Sequence, residues 1–192
     1  MKNLIFSILA LAILTLVACK QQVEKEGDQI SENVVTELPD YVAFNQKVVT
    51  LRSFIKSHSD EDLNALKELL ADTLKWSPPA YNGNQILGKN DYLNVLEGYH
   101  QDFENIKYDE GIILGAIKES GWWSGSVFPK ENASSSPDAI RLYGTWTANH
   151  TESGKEVGVK WYAIFWVNDA GKIAQITEYF DVHGIAAQLS EE

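Results

Sequence analysis

The chain of 192 residues has a single cysteine, Cys19, so no internal disulfide can brace it and its fold must rest on a noncovalent core. Basic residues are scarce. Sixteen Lys and Arg stand against 27 Asp and Glu, a formal charge of −11 that repels a phosphate backbone and an anionic membrane surface, so nucleic acid is not an expected partner. Five prolines and 13 glycines are too few for a fibrous chain, and no internal period marks a repeat array. Metal and nucleophile signatures are missing too. The four histidines, His58, His100, His150 and His183, form no i,i+4 pair, and no Gly-x-Ser-x-Gly elbow or phosphate-cradling glycine loop occurs. No metal and no cofactor is therefore expected, and hydrolase and nucleotide chemistry fall away. What is present is a hydrophobic share of 44% and an aromatic share of 11%, enough for one compact domain plus an accessory segment.

The accessory segment is N-terminal. Met1 to Lys20 carries one basic residue and then an apolar run from Leu4 to Ala18, shorter than the roughly 20 residues that span a bilayer, which is a secretory signal pattern. Leu16-Val17-Ala18-Cys19 resembles the lipobox of bacterial lipoproteins. That resemblance implies cleavage after residue 18, diacylglycerol and amide-linked acyl chains such as palmitate on Cys19, and a membrane-anchored place in a bacterial cell envelope. The competing reading is a buried thiol in an uncleaved apolar helix. Residues 19–39, rich in Gln, Glu and Lys, read as a solvated tether, and 40–192 as the folded domain.

Within that domain Tyr41, Phe44, Val48, Leu51 and Ile55 recur at helical spacing behind Asp40 as a cap. Ser59 reads as the N-cap of a second helix bearing Leu63, Leu66, Leu69 and Leu70, and Asn90 as the cap of a third with Tyr92, Leu93, Leu96, Tyr99, His100 and Phe103 near one face. The stretch between them, with Pro78, Pro79 and Asn82-Gly83-Asn84, reads as a loop that contains Trp76 and Tyr81. Strand character follows over 106–119, 140–150, 156–167 and 172–181, with hairpin turns at 151–155 and 168–171; 121–138 reads as an irregular linker, and 181–189 as a short closing helix.

Helices followed by an antiparallel meander define an α+β class with helices over one sheet face. Gly171-Lys172-Ile173, a strand ending Glu178-Tyr179-Phe180-Asp181, and a helix with Ala187-Gln188-Leu189 resemble the C-terminal signature of SnoaL-like proteins of the nuclear transport factor two-like superfamily. The order of elements from Tyr41 to Leu189 is similar as well. The resemblance implies a cone-shaped curved antiparallel (mixed) sheet, three N-terminal helices, a short C-terminal helix and a pocket in the cone. The corresponding strand of the cyclases in that superfamily reads Gly-Lys-Ile-x-Glu-His-Trp-Asp-x-x-Asp. Aligned on it, Ile176 stands at the His position and Glu178 and Asp181 at the two acids.

An acid in an apolar cone can have its pKa raised and move protons, so Glu178, Asp181 and His100 are the catalytic candidates, with Tyr99 assisting. Asp181 also suits a helix cap, and strict alternation separates Glu178 from Tyr179 without saying which points inward. Trp76, Tyr81, Tyr92, Tyr99, Trp123, Trp146, Trp161 and Tyr179 are the candidate ligand-binding rings. Three functions stay open: binding of a small hydrophobic or cyclic molecule without turnover, isomerase or cyclase chemistry, and a homodimeric interaction module.

Overall fold

A computed structural model describes residues 41–111, 121–124 and 139–190, all inside one compact unit, Leu38–Glu192. The signal segment, the tether and Cys19 lie outside the described residues, as do 112–120, 125–138 and the side chains of Tyr41, Trp123 and Ser124. The helices are α1 (Tyr41–Ser59), α2 (Leu63–Leu69), α3 (Lys89–Asp102) and α4 (Val182–Ser190). The strands are β1 (Leu70–Ser77), β2 (Phe103–Glu110), β3 (Trp122–Ser124), β4 (Ala139–His150), β5 (Glu156–Val167) and β6 (Ile173–Tyr179). They form one mixed sheet in the order β1-β6-β5-β4-β2, with β3 paired to β4 in line with β2. This is the expected α+β arrangement.

Long alternating runs build the centre. β4 and β5 pair from Ala139↔Trp166 to Asn149↔Glu156, and β6 adds beside β5 through a turn in which Asn168 accepts from Ala170 and Lys172. The inner face carries Ile140, Leu142, Trp161, Ala163, Phe165 and Ile176, onto which α1 lays Val48, Leu51, Phe54 and Ile55. Burying each of the Val, Leu, Ile and Phe side chains of this layer contributes about 1.5–3 kcal/mol. The outer face carries a stacked row of Tyr143, Tyr162 and Tyr179, with ring centroids 4.5 and 5.7 Å apart. Gly144 is required where it stands: a Cβ there would lie 2.2 Å from the Tyr108 ring. An exposed clamp ties helix to sheet, Arg52 holding both Glu110 oxygens at 2.9 and 3.0 Å while Trp122 Nε1 donates to Glu110 Oε2 at 2.7 Å.

Four local expectations need correction. Ser59 ends α1 and does not cap α2; Asp62 does, accepting from Ala65 N–H at 2.9 Å. The chain reaches it through a Schellman closure, Asp62 N–H to Ser57 C=O and Glu61 N–H to His58 C=O, which places Glu61 at φ +57°. The third helix begins before Asn90, at Lys89, with Gly88 as its N-cap residue and Asp91 accepting the Gly88 N–H at 2.9 Å. The segment from Leu70 is a strand, not the end of a helix and a loop, because β6 offers it a parallel edge with Trp76 opposite Ile176. Trp122–Ser124 is likewise strand, recruited by the free side of β4.

Candidate functional site

The sheet and α3 border a half-open cavity of about 100 Å³, several times the ~10–15 Å³ that one water needs. α1 contributes Phe54 and His58, α3 Tyr92, Leu96 and Tyr99, the central strands Trp146 and Trp161, and α4 closes one side with Ile185. The walls are aromatic because the pleat sends Trp146 and Trp161 to the same side as the core and α3 turns its ringed face toward them.

Glu178 stands among these rings. It is 7% exposed, and it is the buried charged residue of the core among the described residues. Each oxygen accepts one indole N–H: Oε2 from Trp76 at 2.7 Å and Oε1 from Trp161 at 3.1 Å. Burial pushes its carboxyl up to about 7, opposed by the two indole donors. Burial, followed by the Glu178 charge, also pushes up the Tyr92 and Tyr99 phenols, which therefore stay protonated. The site thus offers a carboxyl poised near neutrality and phenols able to donate.

Beside it lies a histidine pair. His58 Nδ1 is 2.8 Å from His100 Nε2, the rings stack at 4.9 Å, and His58 meets Trp146 edge-on. Burial and then the His100 neighbour lower His58 to about 3; burial also lowers His100, against the charges of Glu61 and Glu97. Two neutral imidazoles sharing one proton satisfy this geometry. His100 Nδ1 is buried without a hydrogen-bond partner.

The candidates are therefore placed as follows. Glu178 faces the cavity and Tyr179, 57% exposed, faces out. Tyr92, Tyr99, Trp146 and Trp161 line the cavity. Trp76 is a buried strand residue and not at a loop rim; it reaches the site by holding Glu178. Tyr81 is 87% exposed and away from the cavity. Asp181 is exposed and accepts the Gly184 N–H at 2.8 Å, capping α4. His100 sits behind His58 and makes no hydrogen bond to Glu178. The Trp123 side chain lies outside the described residues. His58 and Phe54 are cavity residues not anticipated from sequence, although both continue the apolar face of Leu51 and Ile55. Among the described residues, no group of three His, Cys, Asp or Glu side chains is placed to hold a metal, and no helix is long and apolar enough to cross a membrane.

No protein-family model and no curated protein matches the sequence. Solved structures do match in shape. IdmH from Streptomyces antibioticus, a proposed polyketide cyclase, superposes with TM-score 0.57 at 16% identity, covering 76% of this chain and 99% of that one. A proposed SnoaL-like polyketide cyclase from Shewanella denitrificans gives 0.52 at 8% identity, covering 76% and 98%. An NTF2-like protein from Burkholderia xenovorans gives 0.51 at 16%, covering 75% and 95%. The chain has the cone fold of the SnoaL-like and nuclear transport factor two-like proteins. At these identities the likeness is one of fold, and activity has to be argued from the site.

Proposed function

We propose that the cavity takes a small, largely apolar carbonyl compound and that Glu178 moves a proton on it, as an isomerase or cyclase does. The observation that carries this reading is a buried carboxyl with a pKa of about 7 inside an aromatic cavity. In its ionised form an Oε takes a proton from a carbon beside the carbonyl. The C–H electron pair moves into the enolate, whose oxygen accepts a hydrogen bond from the Tyr99 or Tyr92 hydroxyl. Return of the proton to another carbon completes an isomerisation. Attack of the enolate carbon on a second carbonyl of the same molecule forms the new C–C bond of a cyclisation, the proton passing to the new alkoxide. The cyclase-like neighbours in fold support this reading and do not choose between the two outcomes.

Proton NMR in deuterium oxide tests it on a panel of cyclic ketones and 1,3-diketones. Enzyme-dependent loss of the α-proton signals, falling at least 100-fold in Glu178→Gln, is expected; exchange no faster than in buffer across the panel overturns it. Binding without turnover is the second reading, favoured because both Glu178 oxygens already accept an indole N–H. Saturable binding with no exchange would establish it.

The anchoring reading is proposed as well: Cys19 carries lipid and holds the domain at an envelope membrane. Cys19→Ser should leave the membrane fraction or accumulate as precursor, and unchanged association of an unacylated wild type would refute it.

A further inference from the structure

The charge of the cavity has a consequence for what it prefers to hold. Glu178 is the charged side chain in its lining, and among the described residues no Lys or Arg lines it. His58 lines it too, but its burial keeps the imidazole neutral at physiological pH. Apart from Thr147, which carries no charge, the rest of the wall is rings, aliphatic groups and Gly158. A carboxylate that has lost its water and has no cation beside it is a costly arrangement, and proteins usually resolve it with a paired base or by protonation. Both of the hydrogen bonds that Glu178 makes come from donors, Trp76 and Trp161. Two donors complement the ionised carboxylate, in which each oxygen accepts. They suit the neutral acid less well, since its hydroxyl oxygen is a poorer acceptor and its proton needs an acceptor of its own. Among the described residues the protein thus supplies hydrogen bonds to the anion and no balancing charge.

The rings around it are of the kind that supply the remaining attraction. Trp146, Trp161, Tyr99, Tyr92, Phe54 and Phe103 line one cavity with the carboxylate. Tryptophan and tyrosine faces attract alkylammonium groups through the ring quadrupole, the more strongly where water is excluded. An ammonium ion with an apolar body meets both needs, placing its charge by Glu178 and its methyl or methylene groups on the rings. The field of the whole chain, 27 acidic against 16 basic residues, draws cations toward it at long range.

We infer that this cavity is a site for a small amine or quaternary ammonium compound, with Glu178 as counter-ion and the tryptophan and tyrosine rings as its cage. The inference rests on reading the cavity as a small-molecule site, and adds that the molecule carries a positive nitrogen.

The test uses the purified full chain and two probes of nearly identical shape, choline and its neutral isostere 3,3-dimethylbutan-1-ol, with dissociation constants from calorimetry or ligand-observed NMR at pH 8. Choline should bind at least tenfold more tightly than the isostere. Glu178→Gln should reduce that ratio to about threefold or less. If the variant does not fold, the wild-type ratio alone decides, and Trp146→Leu, which leaves the Glu178 indole donors in place, should weaken choline more than the isostere. Equal binding, or tighter binding of the neutral probe, overturns the cation inference and leaves the small-molecule cavity standing. Binding of neither probe at 20-fold above the protein's solubility-limited concentration overturns the inference too. The proton-transfer reading is judged separately, by the α-proton exchange of neutral ketones.

Discussion

Trp76, on the first strand of the sheet, donates its indole N–H at 2.7 Å to Glu178, on the last, although 102 positions separate them in sequence. The parallel pairing of β1 with β6, which sets Trp76 opposite Ile176 two residues before the acid, makes that contact. It moderates the basicity of Glu178, since a donor to the anion lowers a pKa that burial raises. Trp76→Phe keeps an aromatic ring but no donor. The Glu178 carboxyl should then titrate above its value of about 7, as read from the carboxyl resonance of ¹³C-labelled glutamate, with the pH midpoint of any α-proton exchange rising in parallel. A midpoint that moves down or stays fixed would show that the indole does not tune the acid.

The same acid and the neighbouring histidine bend the stability profile in opposite directions. Glu178 rises from 4.5 to about 7 on folding, so the native state holds its proton between those values and stability falls as pH climbs through them. His58 drops from 6.5 to about 3, so the unfolded state binds more protons there and stability rises with pH, and His100 acts in the same direction. Between about 4.5 and 6.5 the Glu178 and His58 slopes, each roughly 1.4 kcal/mol per pH unit, oppose each other. Glu110 and Asp72, both held low, by Arg52 and by Lys89 respectively, act below that window. Denaturant melts of Glu178→Gln should therefore climb more steeply from pH 4.5 to 6.5 than those of the wild type. Parallel profiles would mean that the buried carboxyl does not change protonation on folding.

Gly144 is predicted to be intolerant of even one methyl. Its Cβ position lies 2.2 Å from Tyr108, whose ring is 4.6 Å from Trp146 and edge-on to Trp161. Gly144→Ala should cost about 1–3 kcal/mol and alter tryptophan fluorescence, because the displaced ring pushes on cavity walls. In a Tyr108→Ala background the same Gly144→Ala change should cost less than in the wild type, because the ring it clashes with is gone. Full additivity in that double-mutant cycle would count against the clash.

Glu61 is a site for stabilisation. It occupies the left-handed position of the Schellman closure at φ +57°, where a side chain is strained and glycine is not. Glu61→Gly should raise stability by about 1 kcal/mol, measured at pH 8 where His100 is neutral in the folded and unfolded chain alike. A loss of stability would show that the Glu61 side chain contributes more than its backbone costs.

The order of elements and much of the sheet are legible in the residues themselves. β4, β5 and β6 follow from runs rich in β-branched and aromatic residues and from turns with Gly154 and Gly171 at positive φ, and α1 from its apolar spacing, because each of these depends on neighbours a few positions away. β1 is not legible. Leu-Ala-Asp-Thr-Leu-Lys-Trp-Ser has no clean period, and it becomes a strand only because β6, about a hundred residues later, presents an edge. The side on which Glu178 falls is decided the same way. Counting by twos from buried Ile173 would put Tyr179 inside and Glu178 in solvent. In the sheet, Trp166 pairs with Gln175 and Val167 with Ile173, so Ala174 is an extra residue that shifts the alternation by one, burying Ile176 and Glu178 and turning Tyr179 outward. Residues 173–179 carry no mark of that bulge; the register of β6 against both its neighbours imposes it, and with it the chemistry of the cavity.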